Sequence, residues 1–198
     1  MELVFGGSFD PPTLAHVLLP KLAMEHMGAE RVRFVLAATS PHKIDSPPIV
    51  ATHRLAMLKL VIADARWACI DTRELDRNGP SYMIETLESL HMESPTQRRL
   101  LIGSDQATVF HRWHRWTDII DFATPLVLMR DQDDIDTMLA YIEHHQGPGA
   151  SEQWREWVLD LARRPDSSTH VREHRALDQV TDAVSTYIRQ HELYGVHA

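Results

Sequence analysis

Cysteine is nearly missing from this chain: Cys69 is the only one in 198 residues. A lone thiol excludes an internal disulfide, and its neighbours Trp67, Ala68 and Ile70 assign it to packing in a reducing compartment. No apolar run approaches the ~20 residues needed to cross a bilayer. The N-terminus opens on Glu2 rather than on a basic segment and a signal core, so the expected location is cytoplasmic, with no membrane partner. Basic charge is also short, 20 Lys plus Arg against 28 Asp plus Glu, for a net charge of −8. That excess argues against a nucleic-acid partner, which is usually gripped by clustered Lys and Arg. Any phosphate ligand must then be held by local geometry. Internal repeats, low-complexity stretches and interdomain linkers are absent as well. With 43% of residues hydrophobic and 24% charged, the chain is expected to form one domain over residues 1–198.

Alternation is what the chain does contain. Short runs rich in Val, Ile, Leu and Phe recur with helix-period segments between them, the pattern of an α/β fold with a mostly parallel sheet and helices on both faces. Strands are predicted at residues 2–5, 31–37, 68–71, 99–102 and 125–129. Helices are predicted at residues 53–63, capped by Thr52, and at residues 82–91, after Pro80 and Ser81. Two further segments carry the i, i+3, i+4, i+7 spacing: Ile135, Met138, Leu139 and Ile142, then Val180, Ala183, Val184, Tyr187 and Ile188. Pro20 should kink the first helix. The stretch QGPGA at residues 146–150 reads as a loop before a more charged, Trp-containing C-terminal part.

The most informative stretch is FGGSFDPPTLAH at residues 5–16. A strand runs into Gly6 and Gly7, then Ser8, Phe9 and an Asp-Pro turn, then a helical start. Two glycines let backbone N–H groups approach an anion, and a helix N-terminus offers further donors and a partial positive charge. The stretch matches neither the Rossmann dinucleotide fingerprint nor the Walker loop. Thirteen histidines include His111 and His114 three apart and His144 beside His145. Neither pair has thiolates or a third ligand at a recognisable spacing, so no metal site built from protein ligands is expected.

FGGSFDPPTLAH resembles the G-G-[ST]-F-D-P-x-[HT]-x-G-H signature of the nucleotidylyltransferases, in the form carried by bacterial nicotinate-nucleotide adenylyltransferases. The resemblance runs almost the whole length. SPHK at residues 40–43, NGPSYMIETL at 78–87, IGSDQATVFHRWHRW at 102–116, DSSTHVR at 166–172 and VSTYIRQHELYG at 184–195 are each similar to a family motif, in the family's order. It implies a Rossmann-like fold and transfer of AMP from ATP, accompanied by Mg²⁺, to nicotinate mononucleotide, with release of pyrophosphate. The implied catalytic residues are His16, Thr13 and Arg172. Gly6, Gly7, Ser8, Phe9, Lys43, Gly103, Asp105, Ser167, Ser168 and Thr169 are implied for ATP. Tyr82, Met83, Thr86 and Trp113 are implied for the nicotinate nucleotide, with Trp116 read as core. Thr13 stands where these enzymes usually carry a His and phosphopantetheine adenylyltransferases a Thr, while Ala15 and Met83 replace a Gly and a Thr. Another phosphate acceptor, nicotinamide mononucleotide or phosphopantetheine, and a non-catalytic nucleotide-binding homologue therefore stay open alternatives, as does a homo-oligomer.

Overall fold

The computed structural model describes residues 1–38, 47–77, 79–130, 133–161 and 164–197. Glu2–Gly7 forms β1, Arg31–Leu36 β2, Ala68–Asp71 β3, Arg98–Gly103 β4, Thr124–Leu128 β5 and Val158–Leu159 β6. They lie in the order β3-β2-β1-β4-β5-β6, and every pairing is parallel. Parallel neighbours need long crossovers, which here are helices: α1 (Leu14–Met27), α2 (Ala51–Val61), α3 (Met83–Glu93), α4 (Ser104–Val109), α5 (Trp116–Phe122), α6 (Ile135–Gln146) and α7 (Ala150–Glu156). The C-terminal part adds α8 (Ser168–His174) and α9 (Asp182–Gln190). Winding reverses between β1 and β4, and in such sheets the crevice outside the carboxyl ends of those two strands takes the ligand.

The middles of the strands are apolar because both faces are covered, while Glu2, Arg31, Arg33, Asp71, Arg98 and Arg99 stand at strand ends or near them. Successive side chains alternate between two layers: Leu3, Phe34 and Leu101 join Ala23 of α1 and Leu58 of α2, whereas Val4, Val35 and Ile102 join Leu87 of α3 and Ile142 of α6. A third cluster, including Met57, Val171, Val184 and Ile188, ties α8 and α9 to the outer side of α2.

Several boundaries differ from the sequence reading. Gly6 and Gly7 belong to β1, paired with Val35 and Leu36, so the strand carries the glycines to the mouth of the crevice. Residues 158–159 add the sixth strand, unpredicted because two residues carry no period. The segment after QGPGA thus returns to the sheet. Helix α2 is capped by Val50 rather than Thr52, and Arg54 in its first turn donates to the Ile49 carbonyl at 2.9 Å. Helix α1 continues through Pro20, whose ring is buried.

Candidate functional site

A cavity of about 830 Å³ opens at the carboxyl ends of β1 and β4, where the topology places a ligand crevice. Gly6, Gly7, Ser8, Phe9 and His16 line one wall, and Tyr82, Met83 and Trp113 another. Gly103, Asp105, Ser167, Ser168, Thr169 and Arg172 line the remainder. Residues implied by motifs spread over the chain are thus brought together around one space. Lys43 lies outside the described residues.

The first wall is built around His16. Its ring sits between Phe5 and Phe9, with centroids 6.0 and 5.4 Å away. The Thr13 backbone N–H donates to His16 Nδ1 at 3.0 Å, and the Thr13 hydroxyl lies 2.6 Å from the same nitrogen. A nitrogen that accepts from a backbone N–H carries no proton, so in the neutral ring Nε2 bears it. Thr13 itself is fully buried and does not line the cavity. The expectation that Thr13 is itself a catalytic residue is corrected to a hydroxyl beside His16, behind the wall. At Gly6 a Cβ would come within 2.5 Å of the Met83 terminal methyl, the flexible end of a side chain on the facing wall, which would have to shift.

Arg54 organises this wall from beneath. It is buried, and it donates to the carbonyls of Ser8 and Ala37 at 2.8 Å, Ile49 at 2.9 Å and Ala38 at 3.2 Å. Burial draws this guanidinium below its ordinary pKa, against the pull of Asp10. One side chain therefore joins the loops after β1 and β2 to the start of α2. The sequence reading missed it, although a signal exists: Arg54 shares the apolar spacing of Met57, Leu58 and Val61.

The second wall starts at α3. Tyr82 precedes its first turn, and Ser81 accepts from the Ala38 backbone N–H at 3.1 Å. Thr86, expected in the pocket, is fully buried behind the wall and is not among the lining residues. Its hydroxyl donates to Glu74 at 2.7 Å and accepts from Arg77 at 2.9 Å, while Glu74 reaches the cavity instead. Trp113 packs on Phe110 at 5.1 Å, and its indole N–H is buried without a protein partner among the described residues. Trp116 packs against the core as expected.

Around the far rim, Arg172 donates to the Asp10 carbonyl at 2.5 Å and to the Thr169 hydroxyl at 3.2 Å. The Ser168 hydroxyl donates to the Pro11 carbonyl at 2.8 Å, which ties α8 to the loop after β1. Asp105 faces Arg130 in an ion pair of 3.2 Å. Arg112, Arg130 and Arg164, none singled out from the sequence, also line the cavity. Four guanidinium groups thus stand in the lining beside the carboxylates of Asp10, Glu74, Asp105 and Asp166.

Residues 4–174 match the model of the cytidylyltransferase-like family. A probable nicotinate-nucleotide adenylyltransferase of Pseudomonas putida is 34% identical, over 96% of this chain and 93% of its own length. One of the same description from Serratia proteamaculans is 32% identical, over 98% and 95%. Among solved structures, the Plasmodium falciparum nicotinic acid mononucleotide adenylyltransferase complexed with NaAD shares the fold, with a TM-score of 0.76 at 15% identity over 99% of this chain and 98% of that one.

Proposed function

The chain belongs to the cytidylyltransferase-like family, and from that premise we propose how its cavity joins two nucleotides. It is a nicotinate-nucleotide adenylyltransferase, transferring AMP from ATP to nicotinate mononucleotide and releasing pyrophosphate, a step of NAD biosynthesis. The observation that supports the reading is that His16 with the β1 glycines, and Trp113 with the start of α3, line one and the same cavity.

In this reaction an oxygen of the mononucleotide 5′-phosphate bonds to the α-phosphorus of ATP, and the bond from that phosphorus to pyrophosphate breaks. The attacking phosphate is already anionic near neutral pH. No side chain has to remove a proton, and catalysis reduces to alignment and neutralisation of charge on the leaving group. His16 donates from Nε2 to the triphosphate, and Thr13 fixes that tautomer from behind. Arg172 spends two N–H groups on Asp10 and Thr169, which leaves donors of the five on a guanidinium for phosphate oxygens. Ser167 and Thr169 add hydroxyls at the same end, Ser168 anchors the loop, and Lys43 supplies further positive charge. Gly103 and Asp105 take the adenosine ribose. Trp113 stacks on the nicotinate ring, and the first-turn N–H groups of α3, which begins at Met83 after Tyr82, donate to its carboxylate. Among the described residues no three His, Cys, Asp or Glu converge as metal ligands. Mg²⁺ would enter as MgATP, held mainly by phosphate oxygens.

The test is pyrophosphate release from MgATP with a panel of acceptors. Release is expected with nicotinate mononucleotide, and at least tenfold less efficiently with the amide, since charged hydrogen bonds contribute ~1.5–3 kcal/mol. Preference for nicotinamide mononucleotide or phosphopantetheine would replace the acceptor, and no release with any would leave a binding protein.

A further inference from the structure

The C-terminal motif at residues 184–195 has no part in the chemistry above, yet its last aromatic residue reaches the loop after β1. The Tyr194 hydroxyl donates to Asp10 Oδ1 at 2.6 Å, across 184 residues of sequence. Asp10 is 6% exposed, so its carboxylate sits where a partner is required. Tyr194 is held there in the left-handed region, φ 57, between Glu192 at φ 49 and Gly195 at φ 67. A bulky residue adopts that backbone only where its surroundings impose it. Those surroundings are Leu193, Tyr187 and Val196, packed in the cluster that joins α9 to α2, where Tyr187 also bonds His53 Nδ1 at 2.9 Å. Burial pushes the Tyr194 hydroxyl far above the ordinary tyrosine pKa, and Asp10 adds to the shift, so the group stays a donor.

Asp10 has a second attachment. Its backbone carbonyl accepts from Arg172, the guanidinium assigned above to the triphosphate. The charges of Arg54 and Arg172 both reach Tyr194, and that of Arg54 also reaches Asp10. We propose that Tyr194 is a positioning residue for nucleotide binding: its hydroxyl engages the Asp10 carboxylate, keeping that charge from competing with ATP phosphates for Arg172 and fixing the carbonyl on which Arg172 rests. This role rests on the cavity being an ATP site.

Calorimetry of MgATP binding to the full chain tests it without any acceptor. Tyr194→Phe removes only the hydroxyl and is expected to weaken MgATP about tenfold, the scale of one charged hydrogen bond. Adding Asp10→Asn to that variant removes the competing charge and is expected to recover most of the loss. A purely structural role predicts no such rescue. Binding by Tyr194→Phe equal to wild type, or a double variant no tighter than the single, overturns the proposal. Should Tyr194→Phe fail to fold, hydrogen exchange of wild type decides, because coupling between sites is reciprocal. MgATP is expected to slow amide exchange in residues 190–197, and unchanged exchange there overturns the latch. The two readings fail separately: a wild type that binds MgATP but releases no pyrophosphate with nicotinate mononucleotide loses its acceptor, not its latch. A wild type that binds no MgATP loses both.

Discussion

His16 and Thr13 divide one task between two side chains. His16 →Ala is expected to lower turnover by roughly 10²-fold or more, the usual cost of a preorganised donor to developing charge. Thr13→Val deletes the hydroxyl but keeps the β-branched shape and the backbone N–H that still reaches Nδ1. Its expected effect is therefore smaller, about tenfold in kcat with little change in KM, and Thr13→Ser should restore it. Thr13→His, which would suit an exposed donor, has no room at a position of 0% exposure and should destabilise the protein instead. Steady-state kinetics beside thermal melts check the set; Thr13→Val with wild-type turnover would leave the backbone as the sole support of the ring. The motif made His16 legible because its flanking glycines and turn are unusual. It could not show that Thr13 and Thr86 both lie behind the cavity wall, since that depends on their partners His16, Glu74 and Arg77 and on the helix face. Glu74 was invisible for a related reason, since in isolation a charged residue in a polar segment reads as solvated; Arg54 left a signal in its apolar spacing with Met57, Leu58 and Val61, but only the assembled loops give it its partners.

Between elements, the clearest staple joins β3 to α3. Asp71 at the end of β3 accepts from Arg73 at 2.9 Å and from Arg33 at 3.1 Å, and Arg73 reaches on to Ser89 and Glu93 of α3. This fixes the segment that delivers Glu74 and the start of α3 to the cavity. Burial alone would push the Asp71 carboxyl up, but the Arg73 bonds outweigh it and hold the carboxyl below the ordinary aspartate value. A depressed folded pKa means the unfolded chain binds the proton more readily. The stabilisation is present above the unfolded value of ~3.9 and is lost as pH falls through the lower folded one. Asp71→Asn should then cost about 2 kcal/mol at neutral pH, with the gap from wild type narrowing as pH drops from ~4 toward ~2. Urea unfolding at several pH values measures it, and a gap independent of pH would remove Asp71 from the charged network. At this scale the sequence was more readable. Strands buried on both faces are apolar runs and long helices are periodic, so five strands and the main helices declared themselves. The two-residue β6 and the Val50 cap did not, because neighbouring strands and the carbonyl contacts of Arg54 create them.

Across the whole molecule, the cavity is closer to charge balance than the chain. The chain carries −8 overall, whereas the cavity lining sets Arg112, Arg130, Arg164 and Arg172 against Asp10, Glu74, Asp105 and Asp166. Two of them are already balanced, Arg130 by Asp105 at 3.2 Å and Arg164 by Asp166 at 2.6 Å. Anionic substrates therefore meet a mildly repulsive field at a distance and attractive contacts only within a few ångströms. Salt acts differently on the two parts: the Debye length is ~10 Å near 0.1 M, so the distant field is screened first and part-buried contacts least. For a protein that draws phosphates in by bulk positive charge, affinity collapses with salt. Here screening should remove some repulsion while weakening the contacts slightly, and the two changes oppose each other. Accordingly, kcat/KM for nicotinate mononucleotide and for MgATP should vary less than about threefold between 20 and 200 mM NaCl. A fall of tenfold or more over that range would show that a long-range attractive field, rather than the fixed geometry around His16 and Arg172, gathers the substrates.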